Sequence, residues 1–197
     1  MEAVTQLEEL KNKVINCQAC KLRQGCQQVV FGEGNPEAKL MLIGEGPGRE
    51  EDKLGRPFVG RGGQLLDKIL EVCGFERFTN VYIANIVKCR PPENRTPLPE
   101  ERVACLPYLY KQLEIIQPSI IVLLGATALQ GLIDPRAKIS KMRGQWLEWK
   151  GYWVMPTYHP AALLRNPNLK KAAWEDFKQV VAKYRELVDK NHYSQYC

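Results

Sequence analysis

Residues 119–125 read SIIVLLG: five large apolar residues in a row, closed by a glycine. No polar residue alternates with them, so both faces of the segment are destined for burial. That is the pattern of a central strand in a parallel sheet covered by helices. Two other short runs match it. Residues 39–44, KLMLIG, read as a buried strand ending in a glycine turn, and residues 80–87, NVYIANIV, as another. Residues 144–160, GQWLEWKGYWVMPTYHP, read as a hairpin turning at Lys150 and Gly151, then a fourth core strand ending near His159.

The segments between and around these strands carry helical spacing. Leu7, Leu10, Val14 and Ile15 recur on one face of residues 6–15, and Leu65, Leu66, Ile69 and Leu70 stripe residues 63–75. Residues 96–118 carry a helix with an acidic first turn and Pro107 inside it, where a proline bends or breaks a helix. Residues 126–133 form a short helix. Residues 168–190 form a long one, with Ala173, Phe177, Val180, Val181 and Tyr184 on one face. Strands alternating with helices predict a three-layer α/β/α sandwich around a mostly parallel sheet, as one domain over residues 1–197. Ligands in such folds bind beyond the carboxyl ends of the strands. Three motif-like loops fall there: GEGPGREED (44–52), NIVKCRPPENR (85–95) and YHPAALLRNP (158–167).

Composition narrows the class. The chain has 197 residues, 45% hydrophobic and 25% charged, with a formal net charge of +6. These values are ordinary for a globular domain, and the basic balance is compatible with nucleic acid or anionic metabolites. No apolar run reaches the roughly 20 residues of a membrane span, and the charged N-terminus lacks a signal core. A cytoplasmic protein without a membrane partner is expected, with its thiols reduced. Seven cysteines fit a disulfide framework poorly, and the Cys17-x-x-Cys20 pair points to a metal, a cluster or redox chemistry.

Each loop motif has a plain reading and a functional one. GEGPG lets the backbone turn tightly and approach a ligand, yet it is neither a Walker loop nor a dinucleotide fingerprint. Phe58, between glycine turns in GRPFVGRGGQLLD (55–67), is a buried anchor or a stacking platform for a planar ring. Asn85 ends a strand as a turn residue, or reads a base with its amide, accepting one hydrogen bond and donating another. His159 is one of two histidines. It is structural, or it offers a neutral imidazole donor to an anion, with Leu163, Leu164 and Arg165 downstream as a wedge and cation for a nucleic-acid strand.

Taken together and in this order, these motifs resemble those of the family 4 uracil-DNA glycosylases, the thermostable iron–sulfur type. The resemblance covers nearly the whole chain, from Cys17 and Cys20 through GEGPG, GRPFVGRGGQLLD, NIVKCRPPENR and Cys105 to HPAALLR. It implies a central four-stranded parallel sheet and an enzyme that flips uracil out of DNA and cuts its C1′–N1 bond. It implies that Phe58 stacks on the base, that Asn85 reads N3–H and O4, and that the backbone around Gly44 and Gly46 meets uracil oxygens. His159 would donate to O2 as negative charge develops, and Glu45 would orient the attacking water or stabilise the sugar cation. The better-known family 1 enzymes carry an aspartate where this chain has Gly46, so the water role cannot be transferred from it. Glu50, Glu51, Asp52 and Asn94 stand as alternatives to Glu45. Closure around Glu45 and Gly46 is the expected barrier to thymine. Leu163 and Arg165 would engage the DNA, with Arg136, Lys138, Lys141 and Arg143 as further phosphate contacts or simply a solvated loop.

The resemblance also implies a [4Fe–4S] cluster on Cys17, Cys20, Cys89 and Cys105, in a structural role because hydrolysis needs no electron transfer. From the residues alone, cluster and zinc stand about equal, though the spacing is not that of paired zinc knuckles. Cys26, Cys73 and Cys197 fall outside the set. The expected partner is uracil-containing DNA, bound by a monomer. Two other classes compete. A non-turnover uracil-DNA crosslinking protein of the same superfamily uses an extra histidine, and residues 134–144, DPRAKISKMRG, contain none. A cluster-bearing interaction module would not need Glu45, Phe58, Asn85 and His159 together.

Overall fold

The computed structural model describes residues 2–197. In chain order its elements are α1 (Glu2–Ile15), α2 (Leu22–Gly25), β1 (Glu33–Gly34), β2 (Leu40–Gly44), α3 (Arg49–Leu54), α4 (Arg61–Val72), β3 (Val81–Asn85) and α5 (Pro99–Ile116). There follow β4 (Ile120–Leu124), α6 (Ala126–Leu132), α7 (Ile139–Met142), β5 (Leu147–Trp149), β6 (Tyr152–Thr157), α8 (Pro160–Arg165) and α9 (Lys170–Leu187). The hairpin between β5 and β6 turns at Lys150 and Gly151, both with positive φ (49° and 83°), as a tight two-residue connection requires. Helix α5 runs unbroken through Pro107.

The expected four parallel strands are present, in the order β3-β2-β4-β6. The sheet is larger than four, however. Among the described residues it has six strands, because β1 pairs antiparallel with β3 and β5 antiparallel with β6. Both additions are very short, as suits edge strands that must not recruit further partners.

Alternation along the strands divides the core in two. Met41, Ile43, Ile121 and Leu123 point to a layer built by α1, α5 and α6 through Leu10, Leu109, Leu113 and Leu129. Leu40, Leu42, Ile120 and Val122 point to the other layer, with Leu66 and Leu70 of α4 and Phe177, Val180 and Val181 of α9. The residues of β4 are all fully buried, which is why their sequence shows no polar alternation. This is the α/β/α sandwich read from the sequence.

Candidate active site

The parallel strands deliver four sets of residues to one rim. Gly44 and Asn85 are register partners at the ends of β2 and β3. Leu124 and Thr157 pair at the ends of β4 and β6, and His159 follows two residues later. A cleft of about 690 Å³ opens there, and Glu45, Gly46, Phe58, Asn85, His159 and Arg165 all line it. Gly44 abuts Phe58 and Asn85 just behind this lining, and Leu163 is not part of it.

Asn85 is 2% exposed, and its side-chain Oδ1 is a buried atom without a hydrogen-bond partner. An orphaned buried acceptor is costly, of the order of 1–3 kcal/mol, unless a ligand supplies the donor. Its backbone is fixed from behind: the Nζ of Lys88 donates to the Asn85 carbonyl at 2.9 Å and to Gln112 Oε1 at 2.7 Å. Burial pushes the Lys88 ammonium down to about 8. Gly44 leaves the room in front. A Cβ there would stand 2.4 Å from Phe58 Cζ and 2.6 Å from Asn85 Oδ1.

Phe58 is buried, with a left-handed φ of 51°, and its ring stacks beside that of His159 with centroids 5.5 Å apart. His159 caps α8, and its Nδ1 accepts the Ala161 N–H at 3.0 Å. That bond places the ring proton on Nε2. Burial, and secondly the positive charge of Arg165, push the His159 pKa down to about 4 against an opposing pull from Glu51. At neutral pH the imidazole is therefore uncharged and has one N–H to offer.

The carboxylates separate by their partners. Glu45 Oε2 accepts a hydrogen bond from the Thr127 hydroxyl, and both residues line the cleft. Glu51 is consumed by backbone: it accepts from Gly48 N at 3.1 Å, Val59 N at 2.9 Å and Gly60 N at 2.8 Å. Asp52, 2% exposed, accepts from Gln27 N and Gln28 N. Glu50 pairs with Lys53 at 3.4 Å, and Asn94 Oδ1 accepts from Arg90 Nε at 2.7 Å. Thr127 was missed in the sequence. It lies in the first turn after β4, and the rule that ligands meet strand ends would have picked it out.

Two expectations about DNA contacts need correction. Leu163 is 2% exposed while Leu164 is 36% exposed, because the helical turn of α8 directs Leu163 into the protein. Arg143 does not reach outward either. Its Nε donates to Asp176 Oδ2 at 2.9 Å, its Nη2 to Asp176 Oδ1 and the Ala172 carbonyl. Arg165, Lys138 and Lys141 remain exposed.

Cys17, Cys20, Cys89 and Cys105 line a second, smaller pocket with Leu22 and Tyr108. Cys17 Sγ accepts from Ala19 N at 3.4 Å and Cys105 Sγ from Lys88 N at 3.3 Å. Burial pushes the Cys89 and Cys105 thiols up, a tendency that bound metal reverses. The thiols share the pocket without converging on a point: among the described residues, no three His, Cys, Asp or Glu side chains are close enough to hold a single ion. Cys26 packs against the buried cluster that contains Cys89 and hydrogen-bonds Arg23, accepting from Nη1 and donating to the carbonyl, each at 3.7 Å. Cys73 is buried in the other layer, its thiol pushed up to about 12.

The family model of the uracil DNA glycosylase superfamily matches residues 31–178, which include every cleft residue named above. The chain belongs to this superfamily. It is 49% identical to a type-4 uracil-DNA glycosylase of Thermotoga maritima, over 88% of this chain and 92% of that one. It is 48% identical to the type-4 enzyme of Sulfurisphaera tokodaii and 44% identical to that of Saccharolobus solfataricus, each over 88% of this chain and 83% and 84% of theirs. Among the described residues, no helix is long and apolar enough to cross a membrane.

Proposed function

We propose that the protein is a monofunctional uracil-DNA glycosylase that flips uracil out of DNA and hydrolyses its N-glycosidic bond, the first step of base excision repair. The observation that carries this reading is the buried, unpartnered Oδ1 of Asn85, facing a cleft in a chain of this superfamily. Uracil N3–H is the donor that fits it, and the amide N–H₂ then meets O4. Cytosine presents the opposite pattern, so it leaves both polar groups unpaired.

The bond to be broken is C1′–N1. As it lengthens, negative charge spreads over the ring and positive charge over the sugar. Nε2–H of His159 donates to O2 of the departing uracil, a fixed donor aimed at developing charge. A neutral imidazole suits this role, since it stabilises the anion without having to give up its proton. Glu45, held by Thr127, stands beside the sugar cation or the water that adds to C1′. The support for Glu45 over Glu50, Glu51, Asp52 and Asn94 is that those four are engaged elsewhere. Phe58 gives the base a face to stack on, and Arg165 meets phosphate. Leu164, exposed on α8, takes the wedge role first read for Leu163.

The four pocket cysteines fit a [4Fe–4S] cluster. They are all soft thiolate donors. A cluster gives each cysteine its own iron, whereas zinc draws four sulfurs to about 2.3 Å from one point. When bound, the cluster would join the segment after α1 to the loop after Asn85 and to α5. A cleft complete within one chain supports action as a monomer, in the cytoplasm where DNA is met. The test is incubation with oligonucleotides carrying U, T or C at one position, followed by alkali. Cleavage at U alone supports the reading. No cleavage at U, or a nick without alkali, sinks it.

A further inference from the structure

Arg77 precedes β3 and belongs to none of the motifs discussed above. It is 8% exposed, and its guanidinium is surrounded by acceptors. Nη1 donates to the Pro57 carbonyl at 2.6 Å and to Glu33 Oε1 at 2.7 Å, Nε to Asp67 Oδ1 at 2.9 Å, and Nη2 to the Phe58 carbonyl. Glu33 is held in turn by Arg56 at 2.8 and 2.9 Å. Two carboxylates thus set the guanidinium, and the guanidinium sets two successive carbonyls.

Those carbonyls belong to the loop that presents Phe58. The residue stands in the left-handed region, φ 51°, which a non-glycine residue keeps only when its surroundings determine it. Gly63 presses on the Phe58 backbone so closely that a Cβ would lie 1.9 Å from the carbonyl oxygen. Arg77 holds the same carbonyl oxygen through Nη2. Phe58 also lines both the catalytic cleft and a second hollow of about 820 Å³ behind it, which Arg77, Phe75 and Phe78 share. The ring is buried in the core and stacked on His159, while the bonds from Arg77 to the Pro57 and Phe58 carbonyls set the backbone from which it projects.

We propose that Arg77 is a positioning residue for uracil excision, acting through the carbonyl of Phe58 to fix the plane on which the flipped base stacks. This rests on the reading of Phe58 as the base platform. Lysine at this position keeps the charge beside Glu33 and Asp67 but cannot span two carbonyls with a planar fork.

The test is a double-mutant cycle of Arg77→Lys and Phe58→Ala in the cluster-loaded protein. The readouts are single-turnover excision, inhibition by free uracil, and binding to abasic-site DNA. Arg77→Lys is expected to slow excision at least tenfold and to weaken uracil inhibition at least tenfold, with abasic-site binding changed less than twofold. In the Phe58→Ala background it should add less than twofold. Multiplying effects overturn the proposal while leaving the platform reading intact. A Phe58→Ala variant as active as the parent overturns the platform reading itself. Should Arg77→Lys fail to fold, Glu33→Gln loosens the guanidinium from the far side and enters the same cycle. A smaller loss that vanishes with Phe58→Ala supports the proposal, and one that persists refutes it.

Discussion

Nδ1 of His159 lies 3.0 Å from the backbone nitrogen of Ala161 and accepts its hydrogen. One hydrogen bond therefore chooses the tautomer, and burial beside Arg165 keeps the ring neutral down to about pH 4. In a ¹⁵N-histidine spectrum, His159 should show the Nε2–H tautomer from pH 8 to about 5. A ring that titrates near 6.5 rules this out. The unfolded chain binds the proton first, so His159 contributes its full stability above about pH 6.5, and that stability is lost as pH falls through about 4. Denaturant melts across this window should fall more steeply for the parent than for His159→Gln. The same variant should slow excision by about 10²–10³, the usual worth of one such donor.

Asn85 predicts selectivity. Asn85→Asp keeps an acceptor for N3–H but loses the donor for O4, and Asn85→Ala loses both. Either should lower uracil excision by roughly 10³-fold or more, given how strongly unpaired polar groups discriminate in buried sites. Single-turnover rates on U and C substrates measure it. An Asn85→Ala protein with undiminished uracil activity would remove the amide from the mechanism.

Much of the fold and of the strand-end rim is legible in the sequence. The β4 run announced a doubly covered sheet, and three strand-end loops predicted a common rim for Glu45, Asn85 and His159. What sequence could not supply were the partners that choose among like residues. Glu45, Glu50, Glu51, Asp52 and Asn94 are alike in what they could do, and only folding shows that Glu51 meets Gly60 and that Thr127 reaches Glu45. Leu163 and Leu164 are adjacent and chemically identical, so the turn of α8 alone decides which one faces solvent. Arg77 carries no motif because its role depends on four acceptors from three separate segments.

Glu45 and Glu51, which both line the cleft, should therefore separate in their phenotypes. Glu51→Ala removes an acceptor for three backbone N–H groups at a cost of about 2–4 kcal/mol, or roughly 5–10 °C in Tm for a chain of this size. Glu45→Gln keeps its Thr127 contact and should leave Tm within about 2 °C while slowing excision. Calorimetry beside kinetics distinguishes them. The reverse pattern would exchange the two assignments.

Gly44→Ala tests the shape of the base site. The new methyl would stand 2.4 Å from Phe58 Cζ and 2.6 Å from Asn85 Oδ1, closer than real contacts allow. Its backbone φ is not in the left-handed region, so the strand itself tolerates alanine. The fold should persist, by circular dichroism, while uracil excision falls at least a hundredfold and free uracil ceases to inhibit. An active Gly44→Ala enzyme would mean that the base enters elsewhere in the cleft.

The cysteines should fall into two classes. Serine at Cys17, Cys20, Cys89 or Cys105 removes one ligand from the pocket, and is expected to lower bound iron and the visible absorption of the purified protein by more than half. Serine at Cys73 or Cys197 should leave both unchanged, since these lie outside the pocket. Cys26 is the sharper case, because it packs against the same buried cluster as Cys89 without lining the pocket. As a neighbour held by Arg23 it should tolerate alanine with iron retained. Loss of iron in Cys26→Ala would make it a ligand and expel one of the other four from the set.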